Sequence, residues 1–170
     1  MYADYAAHDE VIKEFVEKIR DSLQLGGFPL HYFQINDHDN YCVVFFDSQE
    51  QGKSFEILVK DLETGKVLPT LLTNCLDEVA FDKGDASFYY TITGPEGYGK
   101  KVMKHRLGAL TGQDGVVYEE ESQDFHVLAS NTLSGDFVLI NIDSTFKPKS
   151  NEVWVRPCQS WAGEGGKYKF

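Results

Sequence analysis

Several stretches carry residue types that could do chemistry. Gly94-Pro95-Glu96-Gly97-Tyr98-Gly99-Lys100-Lys101 comes within one residue of the phosphate loop G-x-x-x-x-G-K-[ST]. That loop needs a closing hydroxyl for Mg²⁺ and a helix N-terminus behind it for the phosphates. Here the last position is Lys101, and residues 101–105 have strand-like surroundings, so a loop between strands is expected and no nucleotide. Asp37-His38-Asp39, with His31 close by, offers metal-ligating types. Carboxylates two apart in a turn bond their own backbone, and a metal needs three or four convergent ligands. No metal or cofactor is expected. Glu119-Glu120-Glu121 with Asp124 is the densest acidic run. It could draw a basic peptide by long-range attraction, but a solvated strand end is the expectation. Trp154, Tyr89, Tyr90, Phe45 and Phe46 read as core rather than as a ligand cage.

The elements that must position these groups follow from composition and period. A chain of 170 residues, 42% apolar and 14% aromatic, suffices for one globular core and argues against disorder. Its net charge of −11 disfavours nucleic acid, which asks for a basic face. No apolar run approaches the roughly 18 residues that span a bilayer, and the N-terminus lacks a signal-peptide pattern. Cys42, Cys75 and Cys158 have no paired spacing, so they read as reduced, half-buried thiols of a cytoplasmic protein.

Residues 9–25 predict a helix, with Val11, Ile12, Phe15, Val16, Ile19 and Leu23 forming one apolar stripe. Asp9 suits the N-cap, and Gly26-Gly27 with Pro29 ends the helix. Beyond Pro29 the period falls to two and stays there. Strands are expected at Leu30–Ile35, Tyr41–Phe46, Phe55–Val59, Val67–Leu72, Glu78–Phe81, Ser87–Ile92, Lys101–Leu107, Gly115–Glu119, Phe125–Ala129, Phe137–Ile142 and Asn151–Val155. Asp61 to Lys66 makes a hairpin loop in which Gly65 suits a left-handed position, and Pro69 puts the returning strand at a sheet edge.

The strongly apolar strands begin at Tyr41, Phe88 and Phe137, a spacing of roughly 48 residues. That period, with about four strands per repeat, is the signature of a β-propeller blade. The expected fold is all-β with one N-terminal helix: a partial β-propeller of antiparallel four-stranded blades, about two and a half of them. The expected organisation is a helix and linker over 1–29, the partial propeller over 30–158, and a tail or the start of a next blade over 159–170. A propeller closes with about four to eight blades. The blade faces left open therefore imply a longer chain, several copies completing a ring, or a compact sandwich.

The ordered pieces resemble one family. Residues 59–69, VKDLETGKVLP, are similar to the first-blade hairpin of the oligopeptidase B branch of the prolyl oligopeptidase family. Residues 102–108, VMKHRLG, and 116–121, VVYEEE, resemble its second blade, as do Asp124-Phe125 and Ser134-Gly135. Residues 151–155, NEVWV, resemble a third-blade strand, so the likeness spans about residues 30–157. The first turn departs from the family's usual Ser-Pro-Asp-Gly, reading Asn36-Asp37-His38-Asp39-Asn40.

The resemblance implies a propeller that covers the active site of an α/β-hydrolase domain and admits short peptides, cleaved after basic residues. That domain would be the partner within an intact protein. The nucleophile elbow G-x-S-x-G occurs nowhere in the sequence; Gly52-Lys53-Ser54-Phe55-Glu56 fails at its last glycine. No catalytic, cofactor or metal residue is therefore assigned, and the chain is expected to be inactive by itself. The contrasting expectation is a stand-alone interaction module that self-associates as a homo-oligomer.

Overall fold

The computed structural model describes Glu17, residues 30–36, 38, 40–47, 54–82, 87–144, 152–158 and 168–169. The helix expected over 9–25 lies outside these residues except for Glu17, which is helical and exposed.

Eleven strands are described: β1 (Leu30–Ile35), β2 (Tyr41–Asp47), β3 (Phe55–Asp61), β4 (Val67–Asp82), β5 (Ser87–Thr93), β6 (Gly99–Arg106), β7 (Gly115–Glu119), β8 (Phe125–Asn131), β9 (Phe137–Ser144), β10 (Glu152–Pro157) and β11 (Tyr168–Lys169). One sheet runs β1 to β7 in chain order, and a second runs β11-β10-β9-β8, every described pairing being antiparallel. Tyr168–Lys169, within the stretch read as a tail or the start of a next blade, pairs with β10 and so belongs to the third blade.

The main departure from the expected strands is β4. Val67–Leu72 and Glu78–Phe81 were expected as two strands, and they form one of 16 residues. Its first half pairs with β3 up to Cys75, and its second half pairs with β5 from Cys75 onward. The switch of partner falls beside Asn74, whose φ of 57° is the left-handed conformation that asparagine tolerates better than most residues. β4 is thus the outer strand of the first blade and the inner strand of the second. The seven-stranded sheet is two blades joined by a shared strand. Pro69 sits in the half with only β3 beside it, and the β3–β4 register shifts there.

Local turns follow the expected chemistry. Gly65 has φ 69°, and the Asp61 carboxylate accepts the Thr64 N–H at 2.8 Å. That bond holds the Asp61 carboxyl below its usual range. Asn36 closes the β1–β2 turn by accepting the N–H groups of Asn40 and Tyr41 at 3.1 and 3.0 Å.

The core is made between blades. Val43, Phe45, Ile57, Val79, Phe88 and Tyr90 fill the space between the first and second. Ala80, Tyr89, Val102, Val127, Ala129 and Ile140 fill that between the second and third. β2 and β5 are buried on both faces over five residues in a row. In β9 buried and part-exposed residues alternate instead, so Leu139 and Asn141 remain half-buried on the far side of the third blade. Where β6 approaches β8, only glycine fits. A Cβ on Gly99 would collide with the Val127 carbonyl oxygen and lie 2.7 Å from Thr91 Cγ2.

Candidate functional site

The first strands of the three blades are β1, the second half of β4, and β8. A groove of about 460 Å³ opens along the first two, lined by His31, Tyr32, Gln34, Asp77 and Glu78. The His31 ring stacks on Phe55 at 4.3 Å. Its Nε2 lies 3.1 Å from Asp77 Oδ2 and its Nδ1 3.6 Å from Asp47 Oδ1. Tyr32 is half exposed and stacks on Phe45. Burial, and next the Asp77 carboxylate, raise the Glu78 carboxyl above its ordinary value. The groove can favour a cation through its carboxylates and its phenol ring. Its lining holds no serine, threonine, cysteine or lysine.

A smaller cavity of about 170 Å³ lies where these strands end, lined by residues that include Gln34, Asn36, His38, Asp82, Asn131 and Thr132. Much of its polar lining already has protein partners. Gln34 and Asn131 bond backbone groups of β4, Asn36 bonds its own turn, and Thr132 bonds Phe137. Asp82 accepts Lys104 Nζ at 2.6 Å and the Tyr89 hydroxyl at 3.4 Å.

One buried cluster has the connectivity of a hydrolytic relay. Thr70 Oγ1 lies 3.1 Å from His105 Nε2, and His105 Nδ1 lies 2.8 Å from Asp114 Oδ1. The Tyr90 hydroxyl donates to Asp114 Oδ2 at 2.8 Å, and burial followed by that bond pushes the phenol strongly up. Hydroxyl, imidazole and carboxylate in this order can activate a nucleophile. Here Thr70 is 1% exposed and His105 0%, so no substrate reaches the hydroxyl. The cluster ties the first blade's outer strand to β5, β6 and the loop before β7. Sequence reasoning missed it, because Thr70, His105 and Asp114 share no local pattern.

The stretches singled out from sequence are used locally. Gly94 to Gly99 closes the β5–β6 hairpin, with Gly94 N donating to Tyr98 O at 2.7 Å and Gly97 at φ 83°. The Lys100 ammonium donates to the carbonyls of Ser122 and Phe125, and Lys101 pairs with Glu119 at 2.8 Å. Glu120 accepts the Tyr118 hydroxyl and the Ser122 N–H, both at 2.8 Å. Glu121 and Asp124 are exposed, so this acidic run is in part a bonded strand end. His38 is exposed, while Asp37 and Asp39 lie outside the described residues. Among the described residues no group of three or more His, Cys, Asp or Glu could hold a metal. The three cysteines, expected half-buried, are fully enclosed by the packed blades and form no disulfide, and burial pushes the Cys42 thiol up to about 12. Trp154 meets Tyr118 edge-on at 4.8 Å, as core aromatics do. Among the described residues no helix is long and apolar enough to cross a membrane.

Known proteins share both the sequence pattern and the fold. The Leishmania major oligopeptidase B structure superposes with a TM-score of 0.74 at 14% identity, over 91% of this chain and 21% of that one. A dipeptidyl aminopeptidase BI from Pseudoxanthomonas mexicana is 28% identical over 76% of this chain and 18% of its own length. A protease 2 from Moraxella lacunata is 25% identical over 60% of this chain and 15% of its own. The chain therefore spans about a fifth of the relatives' length or less. The family model for the prolyl oligopeptidase N-terminal β-propeller domain matches residues 28–166. The chain belongs to the prolyl oligopeptidase family, through that propeller domain.

Proposed function

We propose that the chain is the substrate-gating propeller portion of an oligopeptidase B-like serine peptidase that cleaves short peptides after basic residues in the cytoplasm. By itself it is inactive, because the nucleophile belongs to an α/β-hydrolase domain elsewhere in the intact protein. Residues 1–29 supply a helix and linker and 30–158 the blades, the third of which takes in Tyr168–Lys169 beside β10. The observation that carries this reading is the propeller match over residues 28–166 in a chain without a nucleophile elbow. The Asp77 and Glu78 groove supports the preference for cationic peptides, since carboxylates lining a groove favour them.

A second reading, a self-associating stand-alone module, draws on the half-buried far side of the third blade. One experiment separates the two: the native product is captured from its source cells with an antibody against this chain, then weighed and assayed on arginyl-peptide substrates. A product several times 19.2 kDa that carries arginyl-peptidase activity supports the peptidase reading. A product of 19.2 kDa without that activity overturns it.

A further inference from the structure

The inner strand of a blade has a neighbour on one side only, and its other edge offers bare N–H and C=O groups to any extended chain. In the second blade that strand is the second half of β4. Val79 and Phe81 lie two apart, so their peptide groups point to the same edge, away from β5. Both are covered, in each direction, by a side-chain amide from a neighbouring blade. Gln34 of β1 donates from Nε2 to Val79 O at 3.0 Å and accepts Val79 N–H on Oε1 at 3.4 Å. Asn131 of β8 donates from Nδ2 to Phe81 O at 2.9 Å and accepts Phe81 N–H on Oδ1 at 2.7 Å. Only a carboxamide side chain carries a donor and an acceptor in the arrangement of a peptide group, so each imitates one residue of a missing strand.

The geometry points to Gln34 and Asn131 as edge guards: they close the inner edge of β4 to strand addition, so that an extended peptide at the blades' inner side cannot pair with it. The guards come from the first and third blades, so the edge is closed only when both flank the second. The inference rests on the fold and on these bonds, and holds whether or not the peptidase reading does.

The test uses the full 170-residue chain with Asn131→Ala and Gln34→Ala, singly and together. Amide hydrogen exchange is read at Val79 and Phe81, and binding of a fluorescein-labelled, uncharged Thr-Val repeat peptide is read by anisotropy. Asn131→Ala should speed exchange at Phe81 about tenfold and leave Val79 slow, and Gln34→Ala should do the reverse. The double variant should bind the peptide at least about tenfold more tightly than the native chain, and the bound peptide should restore protection at both amides. If Asn131→Ala does not fold, Gln34→Ala, which loses the longer bonds, decides the matter with the same readouts. Equal peptide binding by folded variant and native chain overturns the inference, as does fast exchange at Val79 and Phe81 in the native chain.

Discussion

His105 Nδ1 and Asp114 Oδ1 face each other at 2.8 Å with side chains 0% and 2% exposed, the most deeply enclosed ion-pair geometry among the described residues. The Phe88 ring, 5.3 Å from the imidazole, shields one side of the pair. The Thr70 and Tyr90 hydroxyls complete its hydrogen bonds.

Removing one partner of such a pair leaves a buried polar group stranded. Asp114→Ala should lower the unfolding free energy by about 3 kcal/mol in urea titration, since it strands His105 Nδ1 and the Tyr90 hydroxyl. Thr70→Val, which keeps the volume, should lower it by about 1–3 kcal/mol. If the proposed peptidase reading holds, neither should alter the activity of the longer protein beyond any change in the amount folded, because the hydroxyl is sealed. Loss of turnover in a fully folded Thr70→Val variant would contradict a structural role.

The β6–β8 contact should be intolerant of even one methyl. Gly99→Ala drives a Cβ into the Val127 carbonyl and the Thr91 methyl, and the Val127 backbone cannot retreat without opening the second and third blades. A loss of about 1–3 kcal/mol is expected in the same titration. Gly112→Ala, where a Cβ meets nothing within 4 Å, serves as the control.

Glu78 gives the fold a definite pH dependence. Its carboxyl is raised above 4.5 in the folded chain, so the folded state holds this proton more tightly than the unfolded state does. Its contribution is fully present below pH 4.5 and is lost as pH rises through the raised value. Glu78→Gln should therefore raise Tm at pH 7, and the gain should shrink as pH approaches 4.5. An equal shift at both pH values would show that charge is not the cause.

The thiols should be silent until the chain opens. Cys42, Cys75 and Cys158 are each 0% exposed, and burial holds the Cys42 and Cys75 thiols well above their ordinary value. Ellman's reagent at pH 8 should find them unreactive in the native chain and fully reactive in urea. Rapid native labelling would mean that the blades separate readily.

Much of this architecture follows from neighbours in the chain. The period of two, the turn residues and the recurring apolar strand depend on contacts a few residues away, so nine of the eleven expected strands keep their separate identity. Glycine at 65 and asparagine at 36 mark their turns by the conformations and bonds that these side chains permit.

Tertiary structure decided the rest. No local signal says that Val67–Leu72 and Glu78–Phe81 are one strand, because the join at Asn74 depends on two different partners, β3 and β5, arriving on opposite edges. Thr70 and His105 lie 35 residues apart, Gln34 and Val79 45, and Asn131 and Phe81 50. Each is an unremarkable polar residue until folding places its one complementary group within about 3 Å. Hydrogen bonds are directional and short in range, so their partners are chosen by the packing of blades and leave no periodic trace in the chain.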